Sequence, residues 1–409
     1  MRRGGIGLWR RAFRSVANGS FAAKFRRRLL LSRPVCALLA GVARMRPVDS
    51  KKAVFASLSG GFSCNPKYIA LELSRRRGDV DIVWLVEGRG CRTPLPQGMR
   101  SVPLWSFRAL CEMADAKVLV ENAQQMFLFN AAAKRPGQVY FNTWHGSLGI
   151  KRLSTASRRV REMAKRLSAN VDAVLTDSVF EEEVFSASLF PSTPMLRIGH
   201  ARNDVFFLPD GERGSMRRRV REAIGAADGE RIALYAPTFR EASFFTEAGG
   251  LGFEKWAHAL GDRFGGTWRV AVRLHPHDAR ALSEGLFSLP REVLDLSGYE
   301  DVQELLVAAD ACITDYSSLV FDYLLGGGPA FVFAPDKEKY DAGRGFCYPL
   351  EETPFPIAQT EEELCANIRS FDATHYASRR AEFLKARGCM EDGHAASRAV
   401  DLIEEALGK

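Results

Sequence analysis

A histidine stands where a predicted strand ends and the chain turns, in the stretch VYFNTWHGSLGIKRL (139–153). Trp144 and Gly146 flank His145, after an apolar run of strand type and before basic residues of helical type. A neutral imidazole at such a position can take a proton from a hydroxyl group, which is the work of a general base. The alternative is a histidine whose ring is hydrogen-bonded to the backbone of a tight turn. The local residues leave both interpretations open.

A second histidine lies at the end of the predicted strand 268–276, in the stretch RLHPH (273–277). Arg273 and His275 share one side of a strand because side chains alternate, and Pro276 stops strand pairing. An arginine beside a histidine suits a diphosphate, since one is a fixed cation and the other can protonate a leaving group. The alternative is a surface histidine beside a turn.

Two hydroxyl-rich stretches follow other predicted strands. YAPTFR (235–240) places Thr238 and Arg240 after an apolar run. In ITDYSSLVFDY (313–323) a strand ends at Asp315, after which a helix opens with Ser317 and Ser318 and contains Asp322 one turn later. Serines at a helix start ordinarily cap free N–H groups, and local chemistry alone favours that interpretation. The same free amides and hydroxyls also suit a phosphate, and Asp322 could meet a sugar hydroxyl or a base.

Motifs for metals and for other nucleotide sites are missing from the sequence. Asp-x-Asp does not follow any predicted strand, and neither a GxGxxG stretch nor a Walker loop occurs. Gly326, Gly327 and Gly328 follow a helix and precede a strand, which is typical of a helix end and a turn. The sequence therefore predicts no metal and no cofactor.

The elements that must position these residues alternate along the chain. Short apolar runs of strand type are separated by amphipathic stretches from Ala53 onward, a pattern typical of parallel sheets covered by helices on both faces. Ligands of such sheets bind outside the carboxyl ends of the strands, where the polar stretches lie. The predicted fold is α/β, with two tandem doubly wound Rossmann-like domains of the GT-B type and a cleft between them. The predicted divisions are a basic arm (1–50), an acceptor-side domain (51–208), a donor-binding domain (209–385) and a C-terminal helix (386–409).

The charge of the chain is unevenly distributed. The 409 residues carry a formal charge of +8, yet fourteen of the 57 Lys and Arg residues fall within 1–52, beside a single acid, Asp49. The remainder is mildly acidic, which argues against nucleic acid as a partner. In the arm, Trp9 and Phe13 fall on one side of a helix and Arg10, Arg11 and Arg14 fall elsewhere. This pattern predicts binding to an anionic membrane surface, with a docked helix, a solvated basic terminus and a signal peptide as alternatives.

The eight cysteines are scattered, without a CxxC pair or a Cys/His spacing of the zinc type. In a chain of this length, that usage predicts reduced thiols and a cytoplasmic location. The arm lacks the run of ~20 apolar residues that crosses a bilayer. Together these observations predict a peripheral protein on the cytoplasmic face of the cell membrane.

In this order, the motifs resemble the CDP-glycerol glycerophosphotransferases, a family that includes teichoic acid polymerases and primases and related capsule polymerases. The matching stretches span most of residues 54–356 and are NPK (65–67), NTWHGSLGIKRL (142–153), GHARNDVF (199–206), YAPTFR, RLHPH, ITDYSSLVFDY and APDKEKY…RGFCYPLEETPFP (334–356). One departure is His200, which stands where an aromatic residue is more usual.

The resemblance implies a GT-B fold and the transfer of glycerol phosphate from CDP-glycerol to a lipid-linked glycerol-phosphate or saccharide acceptor, with release of CMP. His145 resembles the family's catalytic histidine, proposed as the base on the acceptor hydroxyl, and His275 resembles a second essential histidine near the donor phosphates. The expected substrate-binding residues are Gly146, Thr238, Arg240, Arg273, Asp315, Ser317, Ser318 and Asp322. CDP-ribitol as the donor, a GT-B glycosyltransferase that uses a nucleotide sugar, and a non-catalytic membrane binder are the alternatives.

Overall fold

The structure is a computed structural model, and it describes residues 38, 41–43, 45–58, 60–87, 91, 93–123, 134–153, 161–162, 164–165, 168–238 and 251–408. The chain forms two compact units. The first takes its described residues from Met1–His145, Leu153–Asp204 and Met390–Lys409, and the second takes its own from Gly146–Arg152 and Val205–Cys389. The chain therefore leaves the first unit directly after His145 and ends in that same unit.

The described residues form thirteen strands and twelve α-helices. The strands are β1 (Asp49–Ala56), β2 (Asp81–Val86), β3 (Met99–Pro103), β4 (Ala116–Glu121), β5 (Val139–Asn142), β6 (Ala173–Thr176), β7 (Met195–Arg197), β8 (Arg231–Tyr235), β9 (Trp268–Val272), β10 (Leu294–Asp295), β11 (Ala311–Thr314), β12 (Ala330–Phe333) and β13 (Ile357–Ala358). The helices are α1 (Cys64–Arg76), α2 (Phe107–Asp115), α3 (Val179–Ser186), α4 (Asp210–Ala223), α5 (Phe253–Phe264), α6 (Pro276–Ser283), α7 (Val302–Ala308), α8 (Leu319–Leu325), α9 (Lys337–Gly343), α10 (Glu361–Arg369), α11 (Ala373–Ala386) and α12 (Ala395–Leu407).

Each unit contains one parallel sheet. The first has seven strands in the order β3-β2-β1-β4-β5-β6-β7, and the second has six in the order β10-β9-β8-β11-β12-β13. In both sheets the strand order reverses next to the first strand, between β1 and β4 and between β8 and β11. Two doubly wound α/β units confirm the predicted GT-B-like fold class, and the carboxyl ends beside each reversal are where ligands of such sheets bind.

The first sheet is buried on both faces. Val54 and Leu85 pack on one side with α2, whereas Phe55, Trp84 and Val120 pack on the other side with α1 and α12. Strands with two covered faces need nearly continuous apolar runs, which explains their clear signal in the sequence. Helix α12 buries Ala399, Val400 and Ile403 in this core, so the C-terminal helix belongs to the first unit and not to a separate region.

Some boundaries differ from the predicted ones. The strand predicted over 268–276 ends at Val272, because Pro276 begins helix α6, where a fixed φ and a missing N–H suit a first helical residue. Arg273 and His275 therefore lie in the turn between β9 and α6. The basic stretch of helical type that follows His145 does not begin a helix at Lys151, which pairs as an isolated bridge with Phe346. Strands β3 and β13 and helices α6 and α9 were not predicted.

The predicted membrane-binding residues Trp9, Arg10, Arg11, Phe13 and Arg14 lie outside the described residues. Further along the chain, Ala43 is buried in the core of the first unit, and Arg46 pairs with Asp115 at 2.6 Å. Among the described residues, no helix combines the length and the apolar character that crossing a membrane requires. The seven described cysteines are free thiols.

Candidate active site

The turn that carries His145 follows β5 and is left-handed at Trp144. Trp144 has a φ of 50°, a conformation that residues with bulky side chains rarely adopt, whereas Gly146 does not have a positive φ. The backbone conformation that favours glycine thus occurs at Trp144 and not at the glycine of this turn. The Trp144 N–H donates to Asn142 Oδ1 at 2.9 Å. The indole packs edge-on against Phe185 and Phe190 and stacks on the His145 ring at 4.4 Å. The indole thus forms a wall behind the imidazole.

The ring of His145 is held in one tautomer by the backbone. Nδ1 lies 2.6 Å from the carbonyl oxygen of Asn122, the residue directly after β4. A carbonyl oxygen can only accept, so Nδ1 must carry the hydrogen, and the lone pair of the neutral ring is on Nε2. The pKa of His145 is lowered to about 4, and burial is the largest cause; the Asn122 carbonyl opposes the shift, and the charge of Arg202 adds to it. The ring is therefore neutral at pH 7 and can accept a proton at Nε2.

A buried polar cluster lies beside this turn, and sequence reasoning missed it. The Asn65 amide reaches both the Thr143 carbonyl, at 2.8 Å, and His200 Nδ1, at 3.0 Å. His200 Nε2 in turn lies 3.1 Å from Glu181 Oε2 and 3.8 Å from Asp177 Oδ2. Asp177, Glu181 and His200 offer ligand atoms within 4.8 Å of one another, so their donor set suits either hydrogen bonding or a cation. The available signals were Asn65 in the NPK stretch and His200 directly after a strand.

In the second unit, Arg273 follows β9 with part of its guanidinium unused. Its Nε is shielded from solvent and has no hydrogen-bond partner among the described residues. Burial lowers the pKa of Arg273, and Asp301 partly opposes that shift. A guanidinium with a shielded N–H that lacks an acceptor is suited to binding an anion through a charged hydrogen bond. His275 is half-buried two residues later, in the same turn.

Thr238 and Asp315 meet at the reversal between β8 and β11. The Thr238 N–H and Oγ1 both lie 2.9 Å from the Asp315 carboxylate, which is 1% exposed. The Tyr316 N–H also donates to Asp315. The carboxylate therefore fixes the turn after β8 through contacts within the protein, and its predicted role in substrate binding stays a prediction. Arg240 lies outside the described residues.

Ser317 and Ser318 precede helix α8, but neither side chain caps it. Ser318 is the residue before the helix and makes no side-chain capping bond. Both side chains are half-buried, and among the described residues their hydroxyls have no recorded partner. The structure therefore does not support the interpretation of these serines as simple helix caps. Asp322 is buried and accepts from Gln303 Nε2 at 3.0 Å, so its carboxylate is engaged inside the unit.

The residues directly after His145 are built into the second unit. Ile150 accepts from the Cys347 N–H at 2.6 Å, and Arg152 donates to the Gly345 and Phe346 carbonyls at 3.1 and 2.7 Å. A Cβ built on Gly149 would lie 3.5 Å from Ser318 Cβ, so this segment passes against the serines before α8. Segments 146–152 and 344–347 are therefore hydrogen-bonded to each other within the second unit. The predicted residues fall into two sets, with His145 in the first unit and all the others that are described in the second.

Comparison with known proteins identifies the family. A sequence model of the family described as CDP-Glycerol:Poly(glycerophosphate) glycerophosphotransferase matches residues 38–405. The chain belongs to this family. The match spans both units, and it confirms the resemblance that the motifs indicated.

Curated relatives carry names from teichoic acid synthesis. The chain is 27% identical to the teichoic acid poly(glycerol phosphate) polymerase of Bacillus subtilis over 364 aligned residues. This alignment covers 86% of this chain and 48% of the relative. Identity to the Staphylococcus epidermidis protein of the same name is also 27%, over 88% of this chain and 51% of that protein. The chain thus spans about half the length of these polymerases. A teichoic acid glycerol-phosphate transferase of Staphylococcus aureus is 25% identical, over 84% of this chain and 90% of that one.

Solved structures share the fold. The wall teichoic acid polymerase TagF, in a histidine-to-alanine variant, superposes with a TM-score of 0.78 at 24% identity, over 99% of each chain. A histidine-to-asparagine variant of the same polymerase, soaked with CDPG, gives a TM-score of 0.76 at 25% identity, over 99% of this chain and 98% of that one.

Proposed function

We propose that the chain transfers glycerol phosphate from CDP-glycerol to a hydroxyl group of a membrane-linked acceptor and releases CMP, as a step in the synthesis of a teichoic acid or capsule-type polymer. Membership of the glycerophosphotransferase family supports the reaction class. The observation that carries the proposal for this chain is the 2.6 Å contact between His145 Nδ1 and the Asn122 carbonyl, because it leaves a basic nitrogen at Nε2.

His145 acts as the general base in the proposed step. Nε2 takes the proton of the acceptor hydroxyl while the acceptor oxygen forms a bond to the β-phosphorus of CDP-glycerol. The bond between the β-phosphorus and the bridging oxygen breaks, and CMP leaves with that electron pair. The low pKa of His145 keeps the ring neutral before the reaction. Positioning and electrostatic stabilisation supply most of the acceleration in phosphoryl transfer.

The second unit binds the donor in this proposal. Arg273 has a buried Nε without a partner among the described residues, which suits a diphosphate oxygen. His275 follows in the same turn and can donate to the leaving phosphate, while Ser317 and Ser318 offer hydroxyl groups that do not cap α8. Asp315 and Thr238 shape the adjoining turn. Asp322 supports α8 from the inside through Gln303.

The acceptor places the protein at a membrane surface. We assign the contact to the part of the basic arm before residue 38, which contains ten Lys and Arg residues and no acid. A deletion that tests this role should stop at residue 37, because Ala43 and Arg46 are part of the first unit. The shortened protein should lose binding to vesicles of anionic lipid and keep activity on a soluble acceptor analogue. Unchanged vesicle binding would contradict the assignment.

A purified reaction tests the activity itself. The protein is incubated with a glycerol-phosphate acceptor and, in separate arms, with CDP-glycerol, CDP-ribitol or UDP-sugars, and the released nucleotide is measured. CMP release from CDP-glycerol supports the proposal. CMP release from CDP-ribitol alone would assign the chain to the ribitol branch. This reaction is included because a ribitol-phosphate primase is also a relative, at 26% identity. UDP release alone would make the protein a sugar transferase. Product masses distinguish one added unit from many.

A further inference from the structure

We propose that Asn65 and His200 form a positioning pair that holds the strained turn at Trp144 and thereby aims the His145 imidazole. This pair, the Asn65–His200 clamp, rests on the role of His145 as base given under the proposed function. Neither residue is proposed to touch a substrate. Both side chains are buried, with exposures of 1% each.

The orientation of the Asn65 amide follows from its partners. Oδ1 accepts from the Arg202 N–H at 3.1 Å, and a backbone N–H can only donate. Nδ2 donates to the Thr143 carbonyl at 2.8 Å, and a carbonyl can only accept. The second hydrogen of Nδ2 is therefore available to His200 Nδ1, at 3.0 Å. His200 Nδ1 is thus an acceptor and carries a lone pair.

The far side of the His200 ring is fixed as well. With its lone pair on Nδ1, the neutral ring has its hydrogen on Nε2, which faces Glu181 at 3.1 Å. The backbone N–H of His200 donates to Glu391 Oε1 at 3.1 Å, and the same oxygen accepts from Asn203 Nδ2 at 2.8 Å. His200 is held at its backbone and at both ring nitrogens, so it can hold Asn65 in turn.

The clamp acts on a backbone that needs support. Trp144 is in the left-handed region, which persists for such a residue only where neighbouring contacts impose it. Asn65 Nδ2 donates to the Thr143 carbonyl and lies 3.3 Å from the Trp144 carbonyl. It therefore contacts the peptide units before and after the strained residue. The ring of His145 begins one residue later. Loss of these Asn65 contacts lets the turn relax and moves His145 Nδ1 away from the Asn122 carbonyl.

Kinetics of three variants test the clamp. Asn65→Asp replaces the donating amide by an acceptor, His200→Phe removes both ring nitrogens at similar volume, and His200→Asn keeps an acceptor at the position of Nδ1. The first two should lower kcat for CMP release about 100-fold, the scale of a misplaced reacting group, with KM for CDP-glycerol within about twofold. His200→Asn should recover most of the lost kcat. Asn367→Asp is the matched control, because that amide binds the Ile357 carbonyl in the second unit.

A second readout does not depend on catalysis. In protein labelled with ¹⁵N-histidine, the His145 signals are identified by their loss in His145→Asn and should show a hydrogen on Nδ1 only. Asn65→Asp and His200→Phe should lose this single-tautomer signature, and His200→Asn should keep it. If the wild type releases no CMP and the signatures behave as stated, the proposed activity fails and the clamp stands.

Two results would overturn the clamp. One is a wild-type kcat and an unchanged His145 signature in both Asn65→Asp and His200→Phe. The other is a stoichiometric divalent ion in the purified protein that His200→Phe loses, since Asp177, Glu181 and His200 would then be metal ligands. Elemental analysis of the same preparations decides this point.

Discussion

Nδ1 of His145 lies 2.6 Å from the carbonyl oxygen of Asn122, so the ring at the end of β5 is tied to the residue that follows β4. Strand β4 borders the reversal of strand order in the first sheet, and β5 pairs with it. The topology thus explains why the imidazole lies at the carboxyl ends of the strands, where ligands of such sheets bind.

Removing only the basic nitrogen should abolish most of the activity. His145→Asn keeps a donor for the Asn122 carbonyl and lacks Nε2, so kcat for CMP release should fall by about 10²- to 10⁴-fold. The Kd for CDP-glycerol should stay unchanged, because the proposed donor groups belong to the second unit. Calorimetric titration and a CMP assay measure the two quantities. His258→Asn, with a side chain that is 74% exposed, is the control. Near-normal turnover in His145→Asn would exclude the base role.

The pH profile should lack a histidine limb near neutrality. The neutral ring is the active form, and burial lowers the pKa of His145 from its ordinary value of 6.5 to about 4. Activity that depends on this group is therefore retained as pH falls through 6.5 and is lost as pH falls through about 4. Measuring kcat/KM between pH 4 and 8 at constant ionic strength shows which limb is present. Half-loss of activity near pH 6.5 that is absent in His145→Asn would contradict the prediction.

Arg273 should contribute to donor binding. Its Nε is buried without a partner among the described residues, so a phosphate oxygen would complete its hydrogen bonding. Arg273→Gln should raise the Kd for CDP-glycerol about 10- to 100-fold, the effect of a charged hydrogen bond of about 1.5–3 kcal/mol. Arg269→Gln on β9 is the matched control, because Arg269 donates to the Glu292 carbonyl in an exposed contact. Equal affinities for both variants would remove Arg273 from the donor site.

The sequence predicted the sheets well because the strands of a doubly wound fold are continuous apolar runs. It also predicted which strand ends carry His145 and Arg273, since those polar residues follow the runs directly. The short or weakly apolar elements escaped notice: β3 has one buried residue, and α9 has none. A solvated helix without an apolar stripe has no periodic signal.

The contacts between distant segments could not be predicted from the sequence alone. Asn65 and His200 are 135 positions apart, and nothing in either local pattern indicates a hydrogen bond between them. The left-handed residue of this turn is Trp144 although a glycine lies two positions later, because tertiary contacts override the local preference for glycine. The place of α12 in the first unit likewise depends on core packing, which a single chain pattern does not encode.

Gly345 should be essential for the segment that follows His145. Its φ is 80°, and an added Cβ would approach Arg152 Cδ at 3.1 Å. Gly345→Ala therefore strains the backbone at this position. Because Arg152 donates to the Gly345 and Phe346 carbonyls, the strain also displaces the acceptors that hold segment 146–152. We expect the free energy of unfolding of the second unit to fall by about 1–2 kcal/mol in urea titrations. Hydrogen exchange should also become faster at Arg152 and Cys347, whose N–H groups join the two segments. Gly343→Ala, at the end of α9 with nothing within 4 Å of an added Cβ, should leave both quantities unchanged. Equal stability and exchange in the two variants would show that the segment does not depend on Gly345.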